Sequence, residues 1–230
     1  SFFPESRYPE KDAAVDAALR MIDEGADILD IGGESTRPGS LPVEQKDEEK
    51  RVIPVIEAIR KHSDIPISVD TRKAETAANA LDAGADIIND VSALRDDPLM
   101  TDLAAERDVP VVLMHMKGSP VTMQQKPFYE DAVAEIIAFF RESVDSARDA
   151  GIKQDRIIVD PGIGFGKRLK DNLELLASVD RLCRMGFPVL VGASRKSFLK
   201  AVLDKPVEDR LVGSLTAGVY AVIKGASILR

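Results

Sequence analysis

Three oxygen-bearing side chains stand at the ends of separate short apolar runs: Asp70 in ISVD (67–70), Asn89 in IIND (87–90) and Asp160 in IIVD (157–160). A further run, DILDIGGEST (27–36), also carries carboxylates into its loop. Such groups are costly to bury without hydrogen bonds, so their recurrence calls for a reason. One aspartate at a strand end can simply start a turn or cap the next helix. Three on parallel strands of one barrel would instead meet at a single mouth. There, carboxylates and an amide accept paired hydrogen bonds from a flat heterocycle with several N–H donors. A metal ion is the rival ligand. With oxygen donors alone and no histidine at matching positions, the set would suit only Mg2+ or Ca2+, and its spacing fits no calcium loop.

Cations stand in two other loops. GGESTRPGS (32–40) brings two glycines, hydroxyls and Arg37 after one strand. VGASRKSF (191–198) brings Ser194, Arg195 and Lys196 to an expected helix start, where free N–H groups favour an anion. Each loop alone can be read as solvated charge, whereas both at one end of a barrel favour a phosphate-bearing ligand. DPGIGFGKR (160–168) fails the P-loop spacing and has Lys167 where a dinucleotide fingerprint needs its third glycine. Its glycines would let backbone approach a ligand, and Phe165 would cover a ring face. Met114 fits a pocket wall or the core equally well. His62 reads as a helix-end residue and His115 as structural. No serine, histidine and acid arrangement stands out for nucleophilic catalysis.

The elements that must position these groups follow from apolar periodicity. Strands are expected near 27–31, 66–70, 86–90, 110–114, 157–160, 189–192 and 227–229, alternating with helices such as EDAVAEIIAFFRESVDSARDAG. The joints DEGADILDI, DAGADIIND and IKGASILR each end a helix at glycine and begin a strand. Pro54 should kink or restart the second helix. Residues 115–129 read as a long loop. Strands apolar on both faces and separated by helices define an α/β fold with a parallel sheet. The absence of a long crossover favours a (β/α)8 TIM barrel over an open sheet. Seven strands leave such a ring one short, so the expectation is a single domain over 1–230, truncated at both ends and lacking its first strand and last helix.

The chain has 230 residues, and its 44% hydrophobic content fills one sizeable core. A net charge of −8 with no basic stripe argues against nucleic acid. The single cysteine, Cys183, fits a packing role and a reducing compartment. No apolar run reaches the length of a membrane span and no signal pattern opens the chain, so the cytoplasm is the expected location.

Taken together, GGESTRPGS, ISVDTRK, IINDVSAL, DPGIGFGK and VGASRKS resemble the dihydropteroate synthase family in order and spacing, across essentially the whole chain. The resemblance implies a barrel enzyme, usually dimeric, that joins 6-hydroxymethyl-7,8-dihydropterin pyrophosphate to p-aminobenzoate with Mg2+, releasing pyrophosphate. It implies that Asp70, Asn89, Asp160 and Lys196 bind the pterin, with Met114 and Phe165 lining its pocket. Thr36, Arg37, Phe2 and Ser194 would shape the p-aminobenzoate site, and Arg230 would anchor pyrophosphate. Asp70, Asp160, Lys196 and Arg37 would carry the chemistry, an SN1-like displacement in which cations ease departure of the leaving group. The family's sulfonamide inhibitors mimic p-aminobenzoate.

SFFPES stands where the family has Ser-Phe-Ser-Asp-Gly-Gly. The family's Mg2+-binding Asn is expected before Ser1, and a His is expected two residues after Arg230. The 230-residue piece alone is therefore expected to be nearly inactive. Three rival readings are a corrinoid-dependent pterin methyltransferase, a Schiff-base aldolase using Lys196, and a barrel that binds pterin without turnover. The methyltransferase gives no reason for STRPG or SRKS beside the pocket.

Overall fold

Seven parallel strands follow one another in chain order in the computed structural model, which describes residue 8 and residues 10–230. They are β1 (Leu29–Gly32), β2 (Ile67–Asp70), β3 (Ile87–Asp90), β4 (Val111–Met114), β5 (Ile157–Asp160), β6 (Leu190–Val191) and β7 (Ile228–Leu229). All lie within two residues of their expected bounds. Strands β1 to β5 form one sheet, a single parallel bridge from Val159 to Val189 carries it to β6, and β6 pairs with β7. Beyond β7, Arg230 reaches across to Asp30 on β1 at 3.0 Å, so the two ends of the series face each other. The chain is thus the α/β barrel of TIM type that its sequence implies.

Helix α1 (Lys11–Asp23) precedes β1, and the helices between strands are α2 (Gln45–Arg60), α3 (Ala74–Asp82), α4 (Leu99–Arg107), α5 (Ala132–Asp149), α6 (Leu169–Ala177), α7 (Val179–Cys183), α8 (Ser197–Leu203) and α9 (Leu211–Ile223). In α5 the spacing of Val133, Ile136, Phe140 and Val144 makes one buried stripe, and Asp131 caps its start by accepting from the Ala134 N–H at 2.9 Å. The glycines at the repeated joints, Gly25, Gly84 and Gly225, all have φ between 96° and 112°, the left-handed region that ends a helix without a Cβ clash. Of the expected kink or restart, the restart does not occur: α2 runs as one helix through Pro54. Fully buried Val52 and Ile56 on either side of the proline hold both turns to the sheet. Cys183 packs as expected, with its thiol 3.2 Å from the Gly225 carbonyl. None of the described helices is long and apolar enough to cross a membrane.

Strand alternation divides the core in two. Outward residues such as Ile67, Val69, Ile88, Val111, Leu113 and Val159 pack under the helices. Inward residues Ile28, Ile87, Val112, Ile158, Leu190 and Ile228 fill the lower barrel. The next inward positions toward the C-terminal ends carry the polar groups.

Candidate active site

Register fixes which side chains share the barrel's interior. Asp30 pairs with Ser68, Asp70 with Asn89, and Met114 with Asp160, all on the inward parity. A cavity of about 60 Å³ bounded by Asp30, Ser68, Asn89 and Arg230 lies over the apolar layer. Asn89 donates its amide to Asp30 at 3.2 Å, and Arg230 donates to Asp30 at 3.0 Å while lying 4.0 Å from Asp70. Across the mouth, Asp160 is 2% exposed and accepts the Gly162 N–H at 2.7 Å. Lys196, also buried, donates to the Ile163 carbonyl at 2.5 Å and stands 4.7 Å above the Phe165 ring. Acceptors from four strands and two cations therefore converge, as parallel strands in a barrel require.

The electrostatics follow from this crowding. Burial, reinforced by the neighbouring Asp30 carboxylate, pushes Asp70 up to about 7 against the pull of Arg230. Burial also raises Asp160 above the usual carboxylate range, opposed by Lys196 and the Gly162 N–H. Lys196 falls to about 7 because its ammonium is desolvated, an effect that Asp160 resists and Arg230 adds to. Desolvation opposes the charge on Arg230 as well, but Asp30, Asp70 and Asp160 outweigh it and raise its pKa. The site thus holds charges that are poised to respond to a ligand.

At Gly162 and Gly166 the loop after β5 approaches the main chain of the loop after β4. A Cβ on Gly162 (φ 64°) would lie 2.0 Å from the His115 carbonyl oxygen, and one on Gly166 (φ 62°) 2.3 Å from that of Lys117. Only glycine permits this contact between the β4 and β5 loops. Lys167, buried beneath, donates to the His115 and Phe165 carbonyls at 3.1 and 2.9 Å and lies 3.0 Å from His115 Nδ1. Burial and the neighbouring Lys167 hold His115 neutral, with its pKa down at about 2, in keeping with a structural role. Met114 and Phe165 are fully buried in one cluster with Val91, Met116 and Met123. Met114 pairs with Asp160 in the β4–β5 register and Phe165 lies under Lys196, so both stand beside the polar groups as core residues.

Among the other expected site residues, Thr36 and Arg37 lie half-buried in the loop after β1, and Ser194 is exposed after β6. Phe2 lies outside the described residues. Two groups were not singled out from sequence. Asp30 is the partner of both Asn89 and Arg230, and strand alternation counted back from Gly32, which pairs with Asp70, would have found it. Glu34, 7% exposed, binds Arg72 and Lys73. Nothing in its local sequence signals those partners, which come from another strand's loop.

The family model described as pterin binding enzyme matches residues 1–230. A dihydropteroate synthase of Haemophilus influenzae is 44% identical over 230 residues, covering all of this chain and 83% of the relative. The crystal structure of Yersinia pestis dihydropteroate synthase with a sulfonamide drug complex superposes with a TM-score of 0.94 at 42% identity, over 96% of this chain and 80% of that one. Xanthomonas albilineans dihydropteroate synthase with 4-aminobenzoic acid gives a TM-score of 0.91 at 46% identity, over 100% and 82%.

Proposed function

The chain belongs to the pterin-binding enzyme family, and on that premise we infer that it is a dihydropteroate synthase. It condenses 6-hydroxymethyl-7,8-dihydropterin pyrophosphate with p-aminobenzoate, giving 7,8-dihydropteroate and pyrophosphate. The observation that carries this reading is the convergence of Asp70, Asn89 and Asp160 on one mouth with Lys196 and Arg230 beside them.

Each group has a role that its chemistry permits. Asp160 and Asn89 accept and fix the ring's N–H edge, while Asp70 offsets positive charge as the exocyclic carbon loses its leaving group. Lys196 donates to the ring's acceptor atoms from above Phe165. Met114 and Phe165 give the ring an apolar wall. Arg230 and Arg37 receive the departing pyrophosphate, and Thr36, Ser194 and Phe2 bound the second substrate. An aromatic amine is a weak nucleophile, so stabilising the leaving group lowers the barrier more than activating the amine, and the displacement is SN1-like. No protein nucleophile is needed.

Mg2+ fits this arrangement as a partner of the substrate. Among the described residues, no three His, Cys, Asp or Glu side chains gather into a metal site. Asp30, 20% exposed beside Arg230, offers one hard carboxylate, and Mg2+ commonly takes one or two carboxylates and completes its shell with phosphate oxygens and water. Asp30 would hold it, and when bound it supplies charge neutralisation at the pyrophosphate. A homodimer is proposed on α9, where Val212, Leu215, Val219 and Ile223 are each at least 59% exposed, an apolar face that a second copy would cover. Sedimentation at micromolar concentration should give twice the chain mass, and a Leu215→Glu change should halve it; a wild-type monomer removes the proposal. A cytoplasmic location is proposed because the single cysteine leaves no internal disulfide to maintain.

The test is a coupled pyrophosphate-release assay on the full-length protein, of which these 230 residues alone are expected to be nearly inactive. Release should need both substrates and stop when EDTA removes Mg2+. Methyl transfer from methyltetrahydrofolate without pyrophosphate release would instead favour the methyltransferase reading.

A further inference from the structure

The loop that carries Thr36 and Arg37 is closed by a side chain to which the reaction gives no task. Glu34 Oε2 accepts the Val43 N–H at 2.9 Å, so one carboxylate joins two points nine residues apart. The same oxygen accepts from Lys73 at 2.9 Å, and Oε1 accepts from Arg72. These cations lie two and three residues after Asp70, just past the end of β2. Lys73 is shared with the fully buried Glu48 on α2, and Arg72 reaches on to Asp96 at 2.5 Å. The Gly33 carbonyl accepts from Arg51 at 2.8 Å, which fixes the loop's first residues to α2.

A buried ion network of this kind is a poor way to gain stability, because desolvation offsets most of the Coulomb attraction. Its better-attested use is to fix one geometry out of several. Here it fixes the loop of residues 34–43, which follows β1, relative to the end of β2, whose Asp70 lies 4.0 Å from Arg230. Burial opposes the charge on Glu34, but the Val43 N–H, followed by Lys73 and Arg72, outweighs it and holds the carboxyl below its ordinary pKa.

We propose that Glu34 is a positioning residue for the second substrate: its carboxylate closes the 34–43 loop onto the Arg72–Lys73 pair and holds Thr36 and Arg37 at the mouth before the amine arrives. This rests on the reading of Thr36 and Arg37 as p-aminobenzoate-side groups. Closing the loop in advance removes an ordering cost from binding, so the effect belongs to affinity for the amine rather than for the pterin.

In the full-length protein a Glu34→Gln change keeps one acceptor for Val43 and removes the charge that holds both cations. It should raise KM for p-aminobenzoate roughly tenfold or more, with kcat within about threefold and the Kd for the pterin pyrophosphate within about twofold. Amide hydrogen exchange at Val43 should speed up by about tenfold, while that of α5 stays unchanged. An Arg72→Gln change should move both readouts the same way by less, and it decides the matter if the first variant does not fold. Unchanged KM and unchanged Val43 exchange in a folded variant would overturn the proposal. If the full-length wild-type protein releases no pyrophosphate with both substrates present, the functional reading fails, and Val43 exchange alone still decides whether Glu34 pins the loop.

Discussion

An Asp160→Asn protein should lose pterin binding while remaining at least as stable as the wild type. Asp160 is 2% exposed, and its folded-state pKa lies above the usual carboxylate range because burial disfavours the ion. At neutral pH the charged form is therefore costly to the fold, and a neutral side chain of equal size relieves that cost. Asparagine can still accept the Gly162 N–H that Asp160 accepts at 2.7 Å. It cannot accept two ring N–H bonds side by side, because one of its two polar atoms is itself a donor. Losing one member of a buried, charge-assisted pair costs about 2 to 5 kcal/mol, roughly 30-fold to several thousand-fold in Kd. Titration calorimetry with 6-hydroxymethylpterin and a thermal melt of the same samples measure both sides. A Kd within about threefold of wild type would remove Asp160 from the site.

Lys196→Met should have a comparable effect with a different pH signature. In the ligand-free site Lys196 and Asp70 both sit near 7, shifted there from opposite directions. Below that range Asp70 loses the charge that offsets the developing cation, and above it Lys196 loses the charge it donates with. The kcat/KM for the pterin substrate should therefore form a bell centred near neutrality. Methionine removes the cation, so kcat/KM should fall about 100-fold, as expected for one or two hydrogen bonds to a charged donor, and the alkaline limb should vanish. Stability separates the two roles of the lysine. Its folded pKa lies below its ordinary value of 10.5, so the unfolded chain binds the proton more tightly. This group's contribution to stability consequently rises with pH from about 7 toward the ordinary value, and Lys196→Met should abolish that rise. A variant that keeps the alkaline limb would show that another group titrates there.

The barrel was legible because its signals are local. Glycine at each helix end, a β-branched run immediately after it and a 3.6-residue stripe such as that of α5 need no knowledge of distant partners. The strand-end acceptors Asp70, Asn89 and Asp160 were legible for the same reason, once parallel strands were assumed. Asp30 escaped because DILDIGG reads as one apolar run whose end lies at its glycines. Only the alternation within β1 and its register with β2 turn Asp30 inward, one layer below the end of β2. Long-range contacts were not legible at all. Lys167 beneath His115 and Glu34 between Arg72 and Lys73 each join loops from different strands, and no local pattern encodes such a pairing. The glycines of DPGIGFGKR suggest a backbone approach to a ligand, and the approach seen at Gly162 and Gly166 is to the carbonyls of the loop after β4. A positive φ and a close approach look the same in sequence whichever neighbour requires them.

The central claim is that acceptors from separate strands grip one flat ring, and a crystal structure with 6-hydroxymethylpterin bound tests it most directly. The ring's N–H groups should lie within about 3 Å of oxygens on Asn89 and Asp160 together, with Asp70 facing the ring and the 6-substituent directed toward Arg230 and Arg37. A pterin bound elsewhere, or one that touches only a single member of that set, would contradict the account.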